Sequence, residues 1–158
     1  MADDNLVVPA SYSRSYDVRW ADLDLNGRVR HSAYSDYAVD LRFHFLADHV
    51  FPATRFQELK FGPIILAEES RFLREVVNGE TITVTRQLAG LSADGSLWKM
   101  HHDIFKQNGK KAVRLRVEGA WLDLNTRKPT APPPELLALV SQFPRTDDFE
   151  ELSLSRRK

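Results

Sequence analysis

The chain contains no cysteine in its 158 residues, which removes disulfides, thiolate metal sites and a cysteine nucleophile from consideration. It has no excess charge of either sign, with 22 Lys and Arg against 22 Asp and Glu. Nothing global therefore draws it to nucleic acid or to an anionic membrane surface. No apolar run approaches the roughly 20 residues that a membrane-spanning helix needs. The first residues, MADDNLVVPASYSR, lack the basic and then apolar regions of a secretory signal. The absence of cysteine suits a reducing compartment. The expectation is a soluble, cytoplasmic protein with no nucleic-acid partner and no membrane insertion.

What is present is a composition 42% apolar, enough to build a core, in a length that fits one domain. We expect a single domain over residues 1–158 with an ordered core of about 11–143. A loose N-terminal arm precedes that core, and a charged, frayed tail follows from Arg145.

Residues 12–20 alternate, with Tyr12, Arg14, Tyr16, Val18 and Trp20 on one side, and read as a strand. An acidic turn follows, Asp22-Leu-Asp24-Leu-Asn26-Gly27. A long helix then begins near His31, with Ser32 as a suitable N-cap, and ends before Pro52. Its apolar positions Tyr34, Tyr37, Ala38, Leu41 and Phe45 are spaced three and four apart, as one helical face requires. Val39, Phe43, Leu46 and Val50 add a second stripe, so the helix should be mostly enclosed by other elements. Residues 51–62 read as an irregular connection with a helical turn at 56–59.

Beyond Gly62 the pattern changes to long strands at 63–77, 80–91, 96–106 and 111–123. Asn78-Gly79, Asp94-Gly95 and Asn108-Gly109 separate them as hairpin turns, which describes an antiparallel meander. Strands of about ten residues exceed the usual five or six, and long strands twist and curl. One apolar helix is available for them to curl around, giving an α+β fold. A proline-rich connector leads to a short amphipathic helix at 135–143.

The chemistry suggested by this order is a carboxylate-bearing turn beside the N-terminus of a buried helix. That end offers unpaired N–H groups and partial positive charge, suited to holding charge that develops on a carbonyl oxygen. A plainer reading of Asp22, Asp24 and Asn26 is a solvated turn built from turn formers. The same residues also match the opening of a calcium-binding EF-hand loop. The twelfth position, where a bidentate Glu is needed, is Ala33, and Arg28 and Arg30 lie inside the loop, so calcium is disfavoured. His101 and His102 are adjacent on a strand and point to opposite faces, which argues against a joint metal site. Asp36, Asp40 and His44 read as the wet side of the helix. Trp20, Trp98 and Trp121 read as core or interface.

Strand, acidic turn, central helix and four antiparallel strands is the order of the hotdog fold. Asp22-Leu-Asp24-Leu-Asn26-Gly27-Arg28-Val29-Arg30-His31-Ser32-Ala33-Tyr34 resembles the D-x-D-x-x-G-x-V-x-[HYN]-x-x-Y motif of the 4-hydroxybenzoyl-CoA thioesterase family. Tyr37 and Arg42 fit that family's helix pattern, and Glu68-Glu69-Ser70-Arg71-Phe72 is similar to its second-strand segment. The resemblance implies an acyl-CoA thioesterase. It assigns Asp24 as the catalytic carboxylate, base or nucleophile, and the backbone N–H near His31, with the His31 side chain, as the oxyanion side. Trp20, Asn26, Gly27 and Tyr34 become candidates for substrate contact. No metal or redox cofactor is implied. The expected partners are an acyl-CoA substrate and further copies of the chain, as a homodimer or dimer of dimers. Arg28, Arg30 and Ala33 depart from the commoner family residues. They motivate the alternative of a non-catalytic or differently catalytic hotdog protein that binds acyl-CoA or acyl carrier protein. Arg114 and Arg116 could meet CoA phosphates, but the solvent side of the sheet is preferred for them.

Overall fold

A computed structural model describes residues 12–49 and 51–154. The arm expected before residue 11 lies outside them. Seven strands form one sheet: β1 (Tyr12–Asp17), β2 (Phe61–Phe72), β3 (Thr81–Ser92), β4 (Leu97–Phe105), β5 (Lys111–Asp123), β6 (Lys128–Pro129) and β7 (Arg145–Leu152). The helices are α1 (Ala33–Asp48), α2 (Ala53–Leu59) and α3 (Pro134–Ser141). The strand order is β1-β3-β4-β5-β2, antiparallel throughout, with β6 added to β5 and β7 to β3. The sheet curls around α1, which is the hotdog architecture expected from the sequence.

The alternation in the strands decides what meets the helix. Ile82, Val84 and Leu88 of β3, Ile104 of β4, and Val113, Leu115 and Val117 of β5 are buried, as are Tyr34, Tyr37, Ala38, Leu41 and Phe45 on α1. Full burial of a side chain such as Leu41 contributes about 1.5–3 kcal/mol relative to exposure. Of the second apolar stripe, Leu46 is partly buried against the core and Val50 lies outside the described residues. Val39 and Phe43 stay exposed beside β2, where Ile65, Leu66, Phe72 and Leu73 are exposed as well. Among the described residues β2 pairs with β5 alone, so its other edge is open.

Three local expectations are corrected. The strand foreseen over 63–77 stops at Phe72, because the N–H groups of Leu73 and Arg74 both turn to the Ala112 carbonyl oxygen and leave the ladder. The helical turn at 56–59 is a full helix from Ala53. The tail from Arg145 is not frayed through its described part, since β7 pairs in parallel with β3 at Leu88 to Ser92, just where β1 leaves off at Arg86. Backbone pairing needs no apolar side chain, so a charged stretch can supply it. Phe149 packs on the core, and Lys99 Nζ sits 2.7 Å from Glu150.

Gly119 of β5 faces Trp98 of β4 across the ladder. The Trp98 indole occupies the space where a Cβ on residue 119 would sit. Gly119→Ala is expected to cost about 1–3 kcal/mol through overpacking. Urea denaturation checks this, and a variant within 0.5 kcal/mol of the parent, roughly the scatter of harmless surface changes, would refute it.

Candidate active site

The acidic turn is built from two carboxylates with different duties. Asp22 is 2% exposed and closes a short 3₁₀ turn at Trp20–Asp22. Arg19 donates to it twice, from Nε at 3.1 Å and Nη2 at 2.9 Å, and the Tyr37 hydroxyl of α1 donates at 2.6 Å. The Arg30 N–H donates to its backbone oxygen at 2.8 Å. These charge-assisted bonds, Arg19's first, hold the Asp22 carboxyl down at about 2. Asp22 therefore ties the turn to the helix.

Asp24 lies at the exposed tip. Its Oδ1 accepts the backbone N–H of Asn26 at 2.8 Å and of Arg28 at 3.2 Å, while Oδ2 has no hydrogen-bond partner among the described residues. The loop closes through Asp24 N–H to the Arg28 oxygen at 2.7 Å and Gly27 N–H to the Asp24 oxygen at 3.1 Å. Gly27 takes a φ of 74°, a left-handed conformation that glycine adopts without strain. The Val29 N–H then bonds the Val76 oxygen at 2.9 Å, fixing the returning chain against the segment after β2. Ser32 sits at the N-cap of α1, but its hydroxyl makes no capping bond. The backbone N–H of His31 is likewise without a partner among the described residues.

A cleft of about 330 Å3 collects Asp24, His31 and Tyr34 together with Arg28, Phe72 and Arg74. The Tyr34 ring is buried against Phe72, centroids 5.9 Å apart, and forms the cleft's apolar wall. The other sequence candidates lie elsewhere. Trp20 is 84% exposed and does not line the cleft. Asn26 and Gly27 shape the turn through the Asp24 bonds rather than facing the cavity. Arg114 donates Nε and Nη2 to Asp103 at 2.7 and 2.9 Å, an ion pair on the sheet. His101 and His102 do face opposite ways. Buried His102 accepts from Arg42 Nη1 at 2.9 Å on Nε2 and donates Nδ1–H to the Thr85 oxygen at 3.0 Å, a pattern that fits one neutral tautomer. Burial, and then the neighbouring Arg42, push its pKa down to about 3.

A second cleft, of about 210 Å3, runs between α1 and the sheet and is lined by Arg42, Arg86, Trp98 and Trp121 among apolar side chains. Sequence reasoning passed over Arg86. The signal was present: in the alternation Ile82, Val84, Arg86, Leu88 an arginine occupies an inward position.

The Asp22 network makes a pH-dependent prediction. Asp22→Asn should lower stability by about 1–3 kcal/mol near neutral pH. A depressed carboxylate contributes stability that is whole above its unfolded pKa of about 4 and is lost as pH falls through the folded value. The difference between parent and variant should therefore shrink between about pH 4 and about pH 2, and urea titrations across that range test it. A difference constant with pH would contradict the charged role.

The chain shares its fold with several solved structures. It is similar to a Staphylococcus aureus protein solved in complex with CoA, at 18% identity and a TM-score of 0.77, covering 90% of this chain and 91% of that one. It is also similar to a 1,4-dihydroxy-2-naphthoyl-CoA thioesterase from Synechocystis, at 14% identity and TM-score 0.75, covering 83% and 96%. A probable thioesterase from Bartonella henselae gives 24% identity and TM-score 0.70, covering 78% and 100%. Comparison with the curated proteins finds no significant match. The thioesterase-like superfamily model matches residues 18–140. With that match spanning the turn, the central helix and the whole meander, the chain belongs to the thioesterase-like superfamily and is by class a thioester hydrolase.

Proposed function

We propose that the protein hydrolyses acyl-CoA thioesters at the start of α1, with Asp24 as the catalytic carboxylate. One observation carries this: a single cleft holds an Asp24 carboxylate oxygen and lies beside the His31 backbone N–H, neither of them engaged by any described residue. The substrate carbonyl oxygen accepts from the donors at the helix start, which need no reorganisation as charge develops; one such donor is worth about 10²–10³ in rate. Asp24 acts in one of two ways. As a base it takes a proton from water while the water oxygen attacks the carbonyl carbon and the thiolate leaves. As a nucleophile it forms an anhydride with release of thiolate, and water then hydrolyses the anhydride. The Staphylococcus aureus neighbour was solved with CoA, and here Arg28 and Arg74 at the rim suit the anionic end of that carrier.

Asp24→Asn keeps the size of the side chain and its bonds to the Asn26 and Arg28 N–H groups but cannot ionise. It should fold as the parent does while lowering kcat by roughly 10²–10⁴, with a smaller change in KM. Thiol release across a chain-length series of acyl-CoAs measures both. Turnover by Asp24→Asn near the parent rate removes Asp24 from the chemistry. A parent that hydrolyses no acyl thioester favours the carrier-binding alternative motivated by Arg28, Arg30 and Ala33.

The protein is further proposed to act in the cytoplasm as a homodimer or dimer of dimers. No helix of the described residues is long and apolar enough to cross a membrane. At one end of the open edge of β2, exposed Ile65 and Leu66 with the neighbouring Val39 and Phe43 of α1 form an apolar margin, while Glu68, Glu69 and Arg71 are exposed further along. Such a margin marks an interaction surface, and an antiparallel edge can pair with its own copy about a two-fold axis. Sedimentation at micromolar concentration should show at least a dimer. Leu66→Lys should shift it to smaller species. A monomeric parent would end the dimer reading.

A further inference from the structure

The second cleft contains donors and no acceptors to match them. Arg86 is 2% exposed, and its Nε, Nη1 and Nη2 all lack partners among the described residues. The Nε1 atoms of Trp98 and Trp121, which line the same cleft, are also buried and without partners among the described residues. Arginine and the indole N–H can only donate. No Asp or Glu lines the cleft. Two rings lie against the guanidinium: its Cζ is 3.9 Å from the Phe45 centroid and 3.4 Å from that of Phe143, the rings standing perpendicular to one another. Those rings interact favourably with the cation, but they supply no oxygen or nitrogen acceptor for its N–H groups. Arg42, the second cation of the cleft, is held by neutral His102, which removes no charge. Burial lowers the Arg86 pKa to about 9, which still leaves the group charged at neutral pH. A native core rarely keeps an unpaired cation and several idle donors together, because each is costly. The arrangement fits a ligand that supplies acceptors alone, and an ionised carboxylate is such a group.

The place of the cleft says which part of a substrate would reach it. Both cavities lie along the seam between α1 and β2. Tyr34 meets Phe72 and Ser35 bonds Glu68 at the catalytic end, while Val39, Phe43 and Leu46 meet Pro63 and Ile65 at the other. The separation along α1 from its first turn to residue 43 is about 15 Å at 1.5 Å per residue. The volume of about 210 Å3 exceeds the roughly 150 Å3 that admits a benzene ring. A thioester carbonyl at the helix start would send the far end of its acyl group into this cleft.

Resting on the hydrolase reading above, we propose that the acyl group carries a carboxylate at its end remote from the thioester, received in the α1–sheet cleft by Arg86 with the indole N–H groups of Trp98 and Trp121. The substrates are then mono-thioesters of dicarboxylic acids with an apolar middle. Arg86 selects among acyl groups and takes no part in bond breaking.

The test compares matched acyl-CoAs that differ only at the remote end, carboxylate against its methyl ester, by thiol release. The parent should prefer the carboxylate by at least about 10-fold in kcat/KM, since a site built around polar donors rejects analogues that leave them unpaired. Arg86→Met, which keeps an apolar stem beside the two phenylalanine rings, should abolish the preference. Trp121→Phe removes one donor and keeps a ring, and should weaken the preference several-fold even if the arginine variant fails to fold. A parent indifferent to the carboxylate, or preferring the ester, overturns the proposal. Calorimetric titration of the parent with a straight-chain dicarboxylic acid separates the two readings. If no acyl-CoA is hydrolysed, saturable heat that is lost in Arg86→Met or Trp121→Phe still supports the cleft assignment, and absence of heat overturns it.

Discussion

The bond from the Tyr37 hydroxyl to the buried Asp22 carboxylate is the constraint on which the geometry of the site depends. It crosses from the second turn of α1 to the turn that precedes the helix, so the loop cannot swing without breaking a buried, charge-assisted contact. Arg19 closes the same carboxylate from the other side, and the Arg30 N–H caps its backbone oxygen. With these ends fixed, the four residues between Asp22 and the Gly27 bend have little choice of direction. Asp24 is left at the tip, one oxygen held by backbone N–H groups and the other facing outwards. The motif's two aspartates thus divide the work: the first is structural and dry, the second wet and available.

Much of this order could be read from the residues. The meander was legible because β5 alternates without interruption and three Asx-Gly pairs punctuate the strands. The helix was legible because Tyr34, Tyr37, Leu41 and Phe45 keep a helical period. The cleft that joins Asp24, His31 and Tyr34 followed from the order of turn and helix. Other features were hidden for physical reasons. β7 is held mainly through backbone groups, which leave no hydropathy trace in a segment reading RTDDFEEL. Trp20 carries an aromatic ring that looks like core but stands in the open, where nothing in its neighbours' identities would reveal it. Arg86 interrupts an apolar alternation, and an arginine in such a place reads as surface until the rings of Phe45 and Phe143 are seen to lie against it.

The two clefts differ in the physics available to them. Around Asp24 the surfaces are exposed and the basic residues have acidic company, as Arg28 has in Glu75. Charge there is screened by water and is suited to meeting a charged carrier loosely. Between α1 and the sheet the walls are aromatic and aliphatic, and charge is expressed in a low-dielectric setting. The central helix serves both, with its N-terminal backbone facing one and its middle side chains facing the other. His102, neutral and wedged between Arg42 and the Thr85 carbonyl, sets the position of one cation in the dry cleft.

The added strand β7 has a consequence for how far assembly can go. It extends the β1 side of the sheet with Asp147, Asp148, Glu150 and Glu151 in one short segment. Dense like charge on a border strand repels another strand of the same kind. The opposite border, β2, exposes apolar Ile65 and Leu66 at one end and charged Glu68, Glu69 and Arg71 further along. If the proposed dimer forms through that apolar end, the two copies cover one another's adhesive border and leave the charged β7 borders outward, so growth through the sheet would stop at a closed pair and not run on into a fibre.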